Sequence, residues 1–364
     1  MKNYIKLMRP YQYVKNLFIF APAFFALQIL EPFVFLCLLG VFIGFSLVCS
    51  SVYIMNDIID VQADRAHKLK ALRPIASGAI SYSNAICFGC ALFIAGLVII
   101  ANSLYLSQNI RGGGGKHDPQ KYDNRYDPSF DSIDKFNNYV IYLNISKYAH
   151  TTSYNDNIPK NQHCDLSPNR NTLDQELKLS YNTYIAFFPI LSYIILNIAY
   201  TFILKAIAIV DIFTIAVGFV LRLFVGSFAV KIELSHYIII ITFCLCLFLA
   251  LGKRRSEYKS SLDTARANLK SYNIAFFDCS LSILGGTIVL AYILYSIEPS
   301  VVNRMQTNYL YLTGFFVLIG ILRYLQLIFV FDKAEDPSMV VLSDRFLQIV
   351  ICLWTLSFFV LLYL

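Results

Sequence analysis

Charge is scarce in this sequence. Asp, Glu, Lys and Arg make up 15% of the 364 residues, against 57% hydrophobic residues and a mean hydropathy of +0.58. That shortage excludes an ordinary soluble domain, in which about a quarter of the residues are charged. Paired cysteines are missing too: nine are scattered singly through apolar runs, and the one C-x-x-C pair, Cys87 and Cys90, has no partner ligands beside it. They read as buried small hydrophobes rather than as a disulfide framework or a zinc site. No clean small-x-small cleavage site ends the first apolar run, so Lys2, Lys6, Arg9 and Lys15 introduce a retained span rather than a removed signal. No nucleic-acid partner is expected.

What remains is a chain for the bilayer. A span needs about 20 mostly apolar residues, and about nine candidates lie near 17–30, 33–55, 84–106, 184–204, 208–230, 237–252, 276–297, 309–331 and 345–364, the first and sixth being short. The expected fold is an all-α polytopic bundle: helices one to three in 1–106, a polar extramembrane insertion in 107–183, and helices four to nine in 184–364. One alternating set of connections, 1–16, 56–75, 205–211, 253–275 and 332–344, holds nearly all the clustered Lys and Arg. The positive-inside bias places that set and the N-terminus in the cytoplasm, and nine spans leave the C-terminus outside with 107–183.

The insertion opens with Arg111-Gly112-Gly113-Gly114-Gly115-Lys116, which reads as a flexible hinge, and carries nine acidic against nine basic residues. Tyr139-Val140-Ile141-Tyr142-Leu143 reads as a strand candidate, and His117, His150, His163 and Cys164 match no zinc spacing. Its role is not legible.

Chemistry gathers at the end of the second apolar run, "NDIIDVQADRAHKLKALRP", residues 56–74. On a helix, Asp57, Asp60 and Asp64 share an arc of about 60°, with Asn56 flanking it. Three carboxylates on one stripe at a membrane edge repel one another and are costly, against the plainer alternative of a solvated, internally paired helix end. A hard cation resolves the repulsion: Mg²⁺ takes oxygen ligands from one or two carboxylates and from substrate phosphates. Arg65, Lys68, Lys70 and Arg73 follow at once, either as phosphate ligands or as topogenic and headgroup-binding charge. Arg222 lies inside the fifth span, where it either faces a polar cavity or pairs with an acid.

On these residues the sequence resembles the UbiA superfamily of intramembrane prenyltransferases. That family's first aspartate motif, N-D-x-x-D-x-x-x-D, stands here as Asn56, Asp57, Asp60 and Asp64. The closer likeness is to the decaprenyl-phosphate phosphoribosyltransferase branch. Arg9-Pro10-Tyr11-Gln12-Tyr13-Val14-Lys15-Asn16 looks like its R-P-x-Q-W-x-K-N entry to helix one. Asp64 to Gly78 resembles its D-R-x-H-P-x-K-x-x-R-P-I-A-x-G run, with Lys68 and Leu69 departing in detail. Tyr200, Lys205 and Asp211 resemble Y-x-x-x-x-K-x-x-x-x-x-D, and Gly218 to Arg222 resembles G-F-x-L-R. The likeness covers most of 1–106 and 184–260, is vaguer beyond, and is absent from 107–183.

One departure selects the branch. Most members carry a second D-x-x-x-D cluster between helices six and seven, whereas Gly252-Lys253-Arg254-Arg255-Ser256-Glu257-Tyr258 stands here. The resemblance then implies Mg²⁺-dependent transfer of 5-phosphoribose from phosphoribosyl diphosphate to a polyprenyl phosphate, with release of diphosphate, for a lipid-linked sugar donor of the cell envelope. Asn56, Asp57, Asp60 and Asp64 are the expected metal ligands, the three aspartates forming the catalytic set. Lys15, Asn56, Arg65, Lys68, Lys70, Arg73, Tyr200, Lys205, Asp211, Arg222, Lys253, Arg254 and Arg255 are the expected substrate-binding residues. A bacterial inner membrane is the expected setting, membrane lipids are the surrounding partners, and assembly as a homo-oligomer stays open. The alternatives are a prenyltransferase acting on an aromatic acceptor and, in another class, a transporter.

Overall fold

The computed structural model describes residues 2–66, 70–112, 170–260, 271–332, 340 and 343–363. Two units divide the chain, one of Met1–Gly114 with Leu179–Leu364 and one of Gly115–Lys178. The strand candidate at 139–143, the residues His117, His150, His163 and Cys164, and the site candidate Lys68 lie outside the described residues.

The regular secondary structure of the chain's described residues is all helical. Its elements are α1 (Lys2–Met8), a 3₁₀ segment (Pro10–Phe20), α2 (Ala21–Phe25), α3 (Pro32–Ile59), α4 (Val61–Ala66) and α5 (Tyr82–Gly112). After α6 (Arg170–Phe202) follow α7 (Val210–Val230), α8 (His236–Ser260), α9 (Ile274–Ile297), α10 (Pro299–Met305), α11 (Gly314–Phe329) and α12 (Arg345–Tyr363). Among the described residues six helices are long and apolar enough to cross a bilayer: Pro32–Ile59, Tyr82–Ser107, Val210–Val230, His236–Lys259, Ile274–Ile297 and Leu310–Phe329. Shorter apolar helices, Ala186–Phe202 and Arg345–Leu361, lie where the fourth and ninth spans are expected. The chain is an integral membrane protein.

Two expectations change. Residues 17–30 do not form one continuous α-helix: the 3₁₀ segment gives way to five residues of α2, and Leu27 then turns with φ of 58°. Pro22 explains the break, because its ring lacks an N–H and crowds the carbonyl four residues back. The sixth span, expected to end at 252, instead runs 25 residues to Ser260. Lys253, Arg254 and Arg255 thus stand on consecutive positions of one helix, about 100° apart, and face different neighbours.

Packing follows from small residues and from α7. A Cβ on Gly226 of α7 would lie 2.0 Å from the carbonyl oxygen of Ile19, so only glycine admits the 3₁₀ segment this closely. Val225 and Ala229 of α7 join a core with Ile19, Phe45, Ile100 and Ile190, while its Ile212 joins a second with Phe248, Phe277 and Tyr324. Cys37, Cys49, Cys244 and Cys246 are buried as expected, but Cys87 and Cys90 are exposed. They sit on α5, whose apolar window is only 22% buried and whose outer face is left for lipid.

Candidate active site

Most of the chemistry is brought to one end of the bundle, where α3, α6 and α8 finish and α4 and α7 begin. A cavity of about 610 Å³ opens there between the 3₁₀ segment and α3, α4, α6, α7 and α8. Lys15, Asn56, Asp57, Asp60, Asp64, Lys70, Arg73, Tyr200, Arg222, Lys253 and Arg254, all expected from sequence, line it. Arg9, Gln12, Tyr53, Tyr193 and Asn197 line it as well and were not singled out as site residues.

The carboxylates keep the stripe that their spacing dictates. Asp60 ends α3, yet the Asp64 N–H donates to the Asp60 carbonyl at 2.8 Å, so the helical path runs on into α4. Asp57 is 3% exposed and Asp64 4%. Burial at that level is tolerable only with partners, since an unpaired buried carboxylate costs several kcal/mol. Arg9 donates to Asp57 Oδ1, and Arg73 Nη1 reaches Asp57 Oδ1 at 3.1 Å and Asp64 Oδ2 at 2.6 Å. Asp60, more open, takes Lys205 Nζ at 2.7 Å. Asn56 Oδ1 accepts from the Thr201 hydroxyl at 2.5 Å, tying α3 to α6.

Cations thus sit on the carboxylates, and among the described residues no three His, Cys, Asp or Glu side chains converge as a closed metal cluster. The donor chemistry nevertheless suits a hard divalent ion: three carboxylates and one carboxamide, all oxygen, on one cavity wall. The guanidinium of Arg73 lies between Asp57 and Asp64 and stands in for such a cation. Arg9 adopts a left-handed backbone, φ 54°, just before Pro10, and its guanidinium lies 5.7 Å from the Tyr53 ring centre. A non-glycine residue held there is strained, and such strain concentrates at functional sites.

The remaining candidates divide. Asp211 is wholly buried at the first turn of α7, its Oδ2 accepting from Arg254 Nε at 2.9 Å. Ile209, at φ 67°, delivers it there through a turn whose N–H donates to the Tyr272 hydroxyl. Asp211 therefore holds Arg254 at the cavity wall rather than lining the cavity itself. Arg255 points away: it donates to Asp278 at 2.6 Å, to the Ile328 carbonyl at 2.9 Å and to Asp332 at 3.2 Å, bracing α8 against α9 and α11. Lys259 reaches Asp332 at 2.7 Å, and its hydrogen bond, with that from Arg255, holds the Asp332 carboxyl below the usual carboxylate range. Arg65 donates to the Ala76 carbonyl at 3.1 Å and so fastens the 71–80 turn. Two residues absent from the sequence-based set recur in the polar contacts, Asn16 and Tyr193, both bonded to Arg222. The signal for the α6 residues was available, since Tyr193, Asn197 and Tyr200 recur at helical spacing in an apolar run.

Comparison with known proteins agrees with this architecture. Residues 17–110 match the model of the "UbiA prenyltransferase family". Decaprenyl-phosphate phosphoribosyltransferase of Mycolicibacterium smegmatis is 26% identical, the match covering 96% of this chain and 89% of that one. The protein of the same name from Mycobacterium tuberculosis strain CDC 1551 is 24% identical over 96% and 91%. A solved UbiA homolog from Archaeoglobus fulgidus, bound to DMAPP and Mg²⁺, superposes with a TM-score of 0.59 over 99% of both chains at 14% identity, a likeness of fold. Family match, relatives and fold concur, and the chain is a membrane-embedded transferase enzyme related to the UbiA prenyltransferase family.

Proposed function

We propose that the chain transfers 5-phosphoribose from phosphoribosyl diphosphate to a polyprenyl phosphate and releases diphosphate, as a step toward a lipid-linked sugar donor for a bacterial cell envelope. The observation that carries this reading is the charge of the cavity. Three acids, Asp57, Asp60 and Asp64, face seven permanent cations, Arg9, Lys15, Lys70, Arg73, Arg222, Lys253 and Arg254. A prenyl diphosphate carries one diphosphate, whereas this donor and acceptor together carry a diphosphate and two further phosphates, which suits the excess of bases. The names of the relatives point the same way.

Asn56, Asp57, Asp60 and Asp64 would hold Mg²⁺, which when bound supplies Lewis-acid stabilisation of the departing diphosphate oxygens. Arg73, Arg9 and Lys205, which neutralise the carboxylates in this structure, then turn to phosphate oxygens. Lys253 and Arg254 line the cavity from α8, and Asp211 keeps the Arg254 fork in one orientation. Bond breaking at the ribose C1 builds oxocarbenium character, so these fixed cations act where negative charge grows on the leaving group. The acceptor phosphate is ionised near neutral pH, no general base is required, and attack opposite the leaving group inverts the anomeric centre. The positive-inside reading puts the cavity and the N-terminus at the cytoplasmic face of the inner membrane and the C-terminus with 107–183 outside.

The test uses purified full-length protein in detergent with Mg²⁺, phosphoribosyl diphosphate labelled in the ribose, and a polyprenyl phosphate. Label is expected in the organic phase, dependent on the metal and abolished in Asp60→Asn. Label that stays aqueous while prenyl diphosphate is consumed with an aromatic acceptor would replace this reading with a prenyltransferase, and inactivity on both would refute each.

A further inference from the structure

Arg222 is the charge that the metal-side chemistry leaves over. It is 5% exposed in the middle of α7, and among the described residues no carboxylate reaches it. Its Nε donates to Asn16 Oδ1 at 2.9 Å, Nη1 to the Gly218 carbonyl at 2.8 Å and Nη2 to the Tyr193 hydroxyl at 2.9 Å. Phe219 and Tyr193 rings each stand 4.8 Å from its guanidinium carbon. These partners, and the Cys49 thiol beside them, are all neutral, so the group keeps its full charge. A permanent cation at this depth is costly and marks an ion or substrate path.

Its depth is defined by helix geometry. Eleven residues separate Asp211 from Arg222 on α7, and eleven separate Ser46, bonded to Asn16 at 2.9 Å, from Asp57 on α3. Each interval is about 16 Å of helix at 1.5 Å per residue. Because the Arg222 side chain reaches back to Gly218, about one turn nearer the acids, its guanidinium lies about 10 Å below the carboxylate layer. The same cavity joins the two layers; Phe219 stands against Arg222 with Phe18 packed on it, and Leu196, Ile215 and Leu249 add apolar lining.

We propose that Arg222 is the counter-charge for the phosphate of the lipid acceptor. The inference rests on the phosphoribosyl-transfer reading and assigns within it which cation takes which phosphate. The deep layer sets the Arg222 fork in a largely apolar wall, which fits a phosphate borne on an isoprenoid chain. The mouth, with its acids and with Arg9, Lys70, Arg73, Lys253 and Arg254, fits the water-soluble donor. A separation of about 10 Å leaves room for the ribose between a diphosphate at the carboxylate layer and an acceptor phosphate at Arg222.

The test is ligand-induced thermal stabilisation of the full chain in detergent, read without turnover. Wild type is expected to be stabilised by a polyprenyl phosphate and not by the matching polyprenol, and separately by phosphoribosyl diphosphate with Mg²⁺. Arg222→Gln is expected to lose the lipid-phosphate shift and keep the donor shift. Equal lipid-phosphate shifts in wild type and Arg222→Gln would overturn the assignment, and so would a loss confined to the donor shift. Should the glutamine variant not fold, Arg222→Lys keeps the charge without the fork. It is expected to raise the acceptor KM about tenfold at an unchanged donor KM, and unchanged or equally raised KM values would overturn the proposal. If wild type itself ignores the lipid phosphate, the acceptor reading fails with it, whereas a response in wild type that persists in both variants removes Arg222 alone.

Discussion

Replacing Arg254 with Met is expected to destabilise the protein more than any other single charge removal on α8. Asp211 is 0% exposed, its Oδ2 depends on Arg254, and its Oδ1 is buried without a hydrogen-bond partner among the described residues. Removing the guanidinium strands a buried carboxylate, a loss of about 3–5 kcal/mol, which is a large share of a typical folding stability of about 5–15 kcal/mol. The opposite change, Asp211→Asn, costs less, because Arg254 keeps Glu257 at 2.6 Å and the amide fills the same space; about 1–3 kcal/mol is expected. Combining the two gives a coupling of about 0.5–3 kcal/mol. Arg255→Met is the control: its carboxylate partners Asp278 and Asp332 are 37% and 54% exposed and rehydrate, leaving the buried Ile328 carbonyl as the main loss, about 1–3 kcal/mol. Denaturant unfolding in one detergent measures all four variants. A cost below about 1 kcal/mol for Arg254→Met, or strict additivity with Asp211→Asn, would refute the view that this pair is a buried strut for the cavity wall.

Further expectations concern other parts of the site. Asp57→Asn should raise the Mg²⁺ concentration needed for half-maximal activity at least tenfold, as read from a metal titration; an unchanged requirement would detach Asp57 from the ion. Gly226→Ala must push the 3₁₀ segment away from α7, costing about 1–3 kcal/mol by unfolding, and should raise KM because Lys15 rides on that segment. The ion pair of Asp332 sets a pH dependence: its carboxyl is held below its ordinary 3.8, so the stabilisation is fully present above that value and is lost as pH falls through the folded-state value. The stability difference between wild type and Asp332→Asn should therefore be constant near neutrality and shrink only below about pH 4; a difference that vanishes between pH 8 and 6 would contradict the assignment.

How much of this was legible in the sequence depended on whether helix geometry carried the signal. Asp57, Asp60 and Asp64 could be placed on one stripe because their spacing survives the break at Asp60, where the backbone hydrogen bond to Asp64 continues the helical path. Lys253, Arg254 and Arg255 read as one basic patch, but α8 runs through them and sends Arg254 to the cavity and Arg255 to α9 and α11. Positions 253, 254 and 255 are about 100° apart in turn, so a correct helix end would have separated Arg255 from the other two. Arg9 stood in a recognised motif without a role, since its reach to Asp57 depends on a left-handed turn before Pro10 that no periodicity announces. The first apolar run misled for a related reason, as hydropathy registers apolar length and is silent about Pro22. Arg222 could be located inside a span, and the choice between an acid partner and a cavity needed the structure.

The central claim is tested most directly by the lipid product itself. Purified protein given Mg²⁺, phosphoribosyl diphosphate and a polyprenyl phosphate should yield a lipid heavier by one phosphoribosyl group, with one diphosphate released per lipid consumed, as read by mass spectrometry and a coupled diphosphate assay. An unmodified lipid phosphate after complete metal and donor supply, or a product in which the prenyl chain has moved instead of the sugar, would contradict the account.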